Sequence, residues 1–217
     1  MQPGTLDALL RALDFVGIAV FAASGALVAS RKQLDVVGFV LIAALTGFGG
    51  GTVRDLLLGR TPVFWLRAPE LLAVAAASAL LVYVLAPLVE SRFKALLWAD
   101  AVGLALYAVV GAEIALIAGA DPWAAVLLGT ITATAGGILR DVVCNELPLI
   151  LRREIYITAA AAAAFAFIGL RLWGVHREMA IATGIGVGFV IRAAAILFGW
   201  SLPTYRPRPA REYPDQR

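Results

Sequence analysis

A chain of 217 residues that is 61% hydrophobic and only 15% charged, with mean hydropathy +0.88, is too apolar for a soluble globular domain. The net charge of +3 without a dense basic run gives no footprint for a nucleic-acid partner. The single cysteine, Cys144, excludes an intrachain disulfide and a cysteine metal cluster.

Repeated apolar stretches of about 20 residues predict an all-α polytopic protein of the lipid bilayer. The segment from Met1 to Asp14 carries Asp7, Arg11 and Asp14 and does not read as a secretory signal. Seven spans are predicted, over 13–30, 36–58, 70–89, 96–118, 122–144, 155–173 and 179–200. The connections are short and polar. Gly119-Ala-Asp-Pro122 reads as a turn with proline in the first helical turn after it. Residues 203–217, rich in proline and charge, read as a disordered cytoplasmic tail. Phe64, Trp65 and Trp173 fall near span ends and fit an interfacial aromatic belt. The loop histidine, His176, reads as solvated.

Loop charge sets the orientation. One side carries Arg11, Arg60, Arg67, Arg171 and Arg177. The other carries Arg31, Lys32, Arg92, Lys94, Arg152 and Arg153, with Arg206, Arg208 and Arg211 of the tail. The richer side is expected in the cytoplasm. The chain is therefore predicted to cross the inner membrane with its N-terminus outside and its C-terminus inside.

Shifting the chain by 86 positions aligns two halves without a gap. Asp14 meets Asp100, Gly25 meets Gly111, Asp35 meets Asp121 and Thr46 meets Thr132. Gly50-Gly51 meets Gly136-Gly137, Arg54-Asp55 meets Arg140-Asp141, and Pro62 meets Pro148. Three spans per half invert the second unit in the membrane. The predicted organisation is one repeat over 13–89, an inverted repeat over 96–173, and an unpaired seventh span over 179–200. Paired broken helices in such repeats mark a permeation or binding site.

Gly49, Gly50 and Gly51 lie in mid-span, and three glycines cost about 1 kcal/mol each against alanine in a helix. A buried arginine costs roughly 3 kcal/mol more on insertion scales. The duplicated run, with Gly136 and Gly137 in the second half, predicts that both helices break there. Such a break frees backbone groups that must face protein or water. The plainer role for such glycines is close helix packing. Two ion pairs are expected, Asp14 with Arg54 and Asp100 with Arg140. Asp55 and Asp141, one residue beyond each arginine, are expected to point elsewhere.

Ser24, Thr46, Thr52, Tyr107, Glu113, Thr130, Thr132 and Thr134 are candidate lining groups, although Ser and Thr in membrane helices often bond their own backbone. Glu113 stands out because Leu27 holds its place in the other half. Arg192, inside the seventh span, has an internal partner, a headgroup or a neighbouring subunit open to it. Gly184, Gly186 and Gly188 read as packing residues. The chain is not expected to be an enzyme, since it has neither a G-x-S-x-G elbow nor an H-E-x-x-H helix.

The Gly-Gly-x-x-Arg-Asp repeat and the 3+3+1 layout resemble the prokaryotic relatives of the trimeric intracellular cation channels, whose repeat unit is also called a glycine-transporter domain. The resemblance covers roughly residues 13–200. It implies a homotrimer with a pore in each protomer, passing monovalent cations, chiefly potassium. Potassium or sodium is then the permeating ion, and no cofactor is implied. It also implies kinks at Gly49, Gly50, Gly51, Gly136 and Gly137. Ala135 stands where the second half would have its first glycine, and the basic lipid-binding motif of the animal members is absent. The runner-up is a secondary transporter for a small amino acid such as glycine. A third reading, a non-transporting scaffold, leaves the glycine runs without a role.

Overall fold

The computed structural model describes residues 3–89, 91–152 and 154–203. Most of the tail expected over 203–217, and Arg153, lie outside the described residues. No strand occurs among those described. The helices are α1 (Pro3–Arg31), α2 (Val36–Leu57), the single turn α3 (Phe64–Arg67), α4 (Glu70–Leu85), α5 (Arg92–Ile117), α6 (Pro122–Val143), α7 (Ile157–Leu172) and α8 (Arg177–Phe198). Short 3-10 turns follow α4 at Ala86–Leu88 and precede α7 at Leu149–Leu151.

Six helices are long and apolar enough to cross a membrane. The seventh, α7, has 16 residues and is about 24 Å long at 1.5 Å per residue, somewhat short of a 30 Å hydrocarbon core. The all-α, seven-span architecture is therefore present. The first helix begins earlier than the sequence reading placed it, at Pro3 rather than residue 13. The ends of α2 and α6 fall at positions 86 apart, 36–57 and 122–143.

Local chemistry explains these boundaries. Asp35 caps α2 by accepting the Gly38 N–H at 2.7 Å. Asp121, its counterpart 86 positions on, caps α6 by accepting the Trp123 N–H at 2.9 Å, with Pro122 in the first turn. Ser91 caps α5. Gly199 ends α8 in the left-handed conformation, at φ 66°, where a Cβ is disfavoured.

The core centres on α5, in which every residue from Gly103 to Ala115 is buried. It packs against α1, α6, α7 and α8. By contrast α4 buries only Leu71, Ala75 and Ala79, one narrow stripe. Contact with lipid offers no hydrophobic gain over contact with another helix, so close backbone approach through small residues holds such bundles together. The α7–α8 pair shows this: Ala159, Ala160, Ala163 and Ala164 are fully buried, and Gly184 and Gly188 sit against Phe167 and Ala163. Large apolar side chains such as Leu41, Leu81, Val84 and Leu197 face outward, as a lipid-facing surface requires.

Candidate functional site

The site begins with the two glycine runs, and here the structure corrects the sequence reading. Both α2 and α6 remain α-helical through Gly49, Gly50 and Gly51 and through Gly136 and Gly137. None of these five glycines has a positive φ. The expected break, with freed amides and carbonyls, does not occur.

What the glycines provide is proximity. A Cβ built on Gly50 would run into the carbonyl oxygen of Thr132, and one on Gly136 into the carbonyl oxygen of Thr46. These contacts are reciprocal, since each pair maps on the other under the 86-residue shift. On Gly49 a Cβ would lie 3.2 Å from Gly136 Cα and 2.8 Å from Leu139 Cδ1. On Gly51 it would enter the Phe64 ring, and on Gly137 it would sit 3.0 Å from the Tyr156 hydroxyl. The packing extends outward on both sides. Gly25 of α1 faces Thr46 Oγ1 and Gly111 of α5 faces Thr132 Oγ1, with built Cβ distances of 2.5 and 2.6 Å. Thus α1, α2, α6 and α5 form a closed ring, each joined to the next through a glycine, with Gly103 of α5 against Phe21 of α1 completing it.

The hydroxyls expected to line a path bond their own helices. Thr46 Oγ1 donates to Ile42 O at 2.6 Å, Thr132 Oγ1 to Leu128 O at 2.6 Å, and Thr52 Oγ1 to Phe48 O at 2.8 Å. Thr130 and Thr134 do likewise, and Ser24 Oγ donates to Phe21 O at 2.9 Å. Trp65 Nε1 donates to Thr52 Oγ1 at 3.0 Å. Tyr107 stacks on Phe21, its repeat counterpart, with ring centroids 5.4 Å apart, and its hydroxyl reaches Asp14 O at 3.5 Å.

Charged groups flank this crossing. Arg140 is fully buried. Its Nη1 donates to Asp100 Oδ1 at 2.8 Å and to Ser24 Oγ at 3.0 Å, and its Nε donates to Asp141 Oδ1 at 2.7 Å. One guanidinium so ties α6 to α5 and α1. The other end differs. Arg54 meets not Asp14 but its own neighbour, with Nε and Nη2 at 2.9 and 2.8 Å from Asp55 Oδ1. The guanidinium also lies 5.4 Å from the Phe64 ring centroid. It makes no salt bridge to Asp14, whose Oδ1 is buried with no hydrogen-bond partner among the described residues.

Asp55 and Asp141 correct the sequence reading too. Adjacent residues diverge at Cβ, but an arginine is long enough to fold back on the next side chain. The second oxygen of each aspartate then anchors the following connection. Asp55 Oδ2 accepts the Phe64 N–H at 2.8 Å, and Asp141 Oδ2 accepts the Leu149 N–H at 3.0 Å. The duplicated Arg-Asp pair thus staples each loop to the helix before it.

Glu113 is fully buried in α5, with Oε1 2.8 Å from Arg177 Nε at the start of α8. Arg192 is also fully buried and finds its partner within the chain: Nη2 donates to Glu154 Oε2 at 2.6 Å and Nη1 to Ile155 O at 3.1 Å. Sequence reasoning missed Glu154, Tyr156 and Glu146. Glu146 collects Arg31 at 3.2 Å, Lys32 at 3.5 Å and Arg152 at 3.9 Å, and Phe93 lies near the guanidinium groups of both Arg31 and Arg152. The surplus of bases in those loops was the available signal.

A bundle of seven apolar helices with a glycine-packed crossing and buried charges belongs to the class of polytopic membrane proteins. A family model described as glycine transporter matches residues 11–87 and again 97–171. The UPF0126 inner membrane protein YadS of Escherichia coli K12 is 41% identical over 195 residues, covering 89% of this chain and 94% of that protein. A UPF0126 membrane protein of Vibrio cholerae is 38% identical, covering 91% and 83%. Among solved structures, the trimeric intracellular cation channel orthologue from Rhodobacter sphaeroides is 50% identical with a TM-score of 0.86, covering 88% of this chain and 99% of that one. A prokaryotic channel of the same kind, solved in 0.5 M KCl, is 30% identical with a TM-score of 0.84, covering 90% and 99%. The chain belongs to the family of prokaryotic trimeric intracellular cation channels, which carries the glycine-transporter repeat.

Proposed function

We propose that the protein is a cation channel of the inner membrane, passing monovalent cations, chiefly potassium, through a pore inside each protomer of a homotrimer. The observation that carries this reading is the 50% identity, across nearly the whole of both chains, to a structure described as a trimeric intracellular cation channel. The path runs along the α2–α6 pair between two inverted three-helix units, 13–89 and 96–173, with α8 outside the repeat. Support for the repeat comes from the equal lengths and 86-residue offset of α2 and α6, and from the two family-model matches. Ser24, Thr46, Tyr107 and Thr132 lie where α1, α2, α5 and α6 meet and are assigned to this path. Thr52 is engaged by Trp65 and Glu113 by Arg177, so both are left out of it. The cluster of Arg31, Lys32 and Arg152 around Glu146 supports a cytoplasmic placement of that end.

Recording in planar bilayers tests the proposal. Purified protein should give discrete ohmic steps in potassium, with a reversal potential that shifts towards the cation equilibrium value under a salt gradient. Saturable, ion-coupled uptake of glycine without unitary currents would overturn it in favour of a transporter.

A further inference from the structure

We propose that a water molecule is bound where α5, α6 and the start of α7 meet, in a polar seat beside Gly137 formed by Tyr156, Asp100 and Arg140. The inference goes beyond the channel reading and does not depend on it. Two observations carry it: the polar atoms gathered at this point, and what fills the matching point of the other half.

Asp100 and Arg140 are fully buried, and Tyr156 is 2% exposed. The Arg140–Asp100 pair uses Nη1 and Oδ1, and Asp141 takes Nε. Asp100 Oδ2, Arg140 Nη2 and the Tyr156 hydroxyl remain, all buried with no hydrogen-bond partner among the described residues. The three groups surround one point. A Cβ built on Gly137 has as its nearest contacts the Tyr156 hydroxyl at 3.0 Å, with Arg140 Nη2 and Asp100 Oδ1 at 3.5 Å each. Arg192 packs over the Tyr156 ring, 5.3 Å from its centroid.

These leftover atoms decide the ligand. Arg140 Nη2 only donates, a carboxylate oxygen of Asp100 only accepts, and a tyrosine hydroxyl does either. A cation there would face the guanidinium, and an anion would face Asp100. A small neutral molecule that both donates and accepts satisfies all three, and water is the smallest. A buried water makes about three hydrogen bonds to polar groups that otherwise lack them. Leaving such groups unpaired in the interior is costly, and the bound water removes that cost.

The other half is built differently. Gly51 is the counterpart of Gly137, and there the Phe64 ring takes the equivalent place. Arg54 lies against that ring and pairs with Asp55. The repeat thus has an apolar contact at Gly51 and a polar seat at Gly137. The bound water ties the start of α7 to α5 and α6.

Hydroxyl-radical labelling by a brief X-ray pulse tests this on the full chain in lipid nanodiscs. Radicals formed from a bound water oxidise the side chains touching it, even those shielded from bulk solvent. Tyr156 should be oxidised faster than Phe167, an aromatic residue of α7 that is fully buried against Gly184. Gly137→Ala puts a methyl group in the seat and should abolish the label on Tyr156, while Trp173, exposed at the end of α7, keeps its own. Tyr156→Phe takes one partner from the water and should slow labelling of the ring at that position. A wild-type Tyr156 labelled no faster than Phe167 would overturn the proposal. So would a folded Gly137→Ala protein in which Tyr156 is labelled as in the wild type. If that variant does not fold, the wild-type comparison and Tyr156→Phe decide, and an unchanged rate in the latter would also overturn it.

Discussion

Arg140 and Arg54 occupy matching places in the two halves, yet only one reaches across to another helix. Arg140 leaves Asp100 and Asp141 uncompensated if it is removed, whereas Arg54 mainly supports Asp55 and the Phe64 loop. Residues in direct contact couple, and residues without shared partners add. A double-mutant cycle of Asp100→Asn with Arg140→Gln should therefore show a coupling of about 1–3 kcal/mol in detergent unfolding. The same cycle on Asp14→Asn with Arg54→Gln should show a smaller coupling, since the two side chains form no salt bridge. A large coupling in the second cycle would mean that Arg54 and Asp14 meet after all. The sequence signals that arginine and aspartate recur together, but not which carboxylate each guanidinium takes. That choice depends on side-chain reach and on the Phe64 ring beneath Arg54.

The helices themselves were legible. Apolar runs, polar turns and loop charges are local features, and they place α2 and α6 to within a residue or so. The state of the glycine runs was not legible. Helix propensity counts each glycine as a weakness, but propensity cannot see a carbonyl from another helix seated on it. Tertiary contact with Thr46 and Thr132 reverses the sign, turning a weak stretch of each helix into a close backbone contact. The partners of α8 were equally hidden, because Glu113 and Glu154 lie far from Arg177 and Arg192 in the chain. Those pairs clamp α8 near both ends. Arg177 is partly exposed and Glu113 is not, so their removal should not be equivalent. Arg177→Gln strands a buried carboxylate and should destabilise by about 2 kcal/mol once solvent screening is discounted. Glu113→Gln leaves a neutral amide and an arginine able to reach water, and should cost less. Equal melting temperatures for the two variants would count against the clamp.

Across the whole molecule, the outward-facing leucines and valines of α2, α4, α6 and α8 suit contact with lipid or with another protomer. The proposed homotrimer predicts that brief amine-reactive cross-linking in native membranes yields a ladder ending at three chains. The proposed orientation predicts that a reporter fused after residue 203 is active only in the cytoplasm. A reporter active outside would reverse the assignment of both ends.

The clamp on α8 also bears on how the protein is made. Glu113 is synthesised long before Arg177, so a carboxyl destined for full burial enters the bilayer before its ion-pair partner exists. The pair closes only when the last helix leaves the ribosome and packs beside α5 and α7. Chains truncated ahead of α8 would keep that acid without its Arg177 partner and should fold less stably than the full chain.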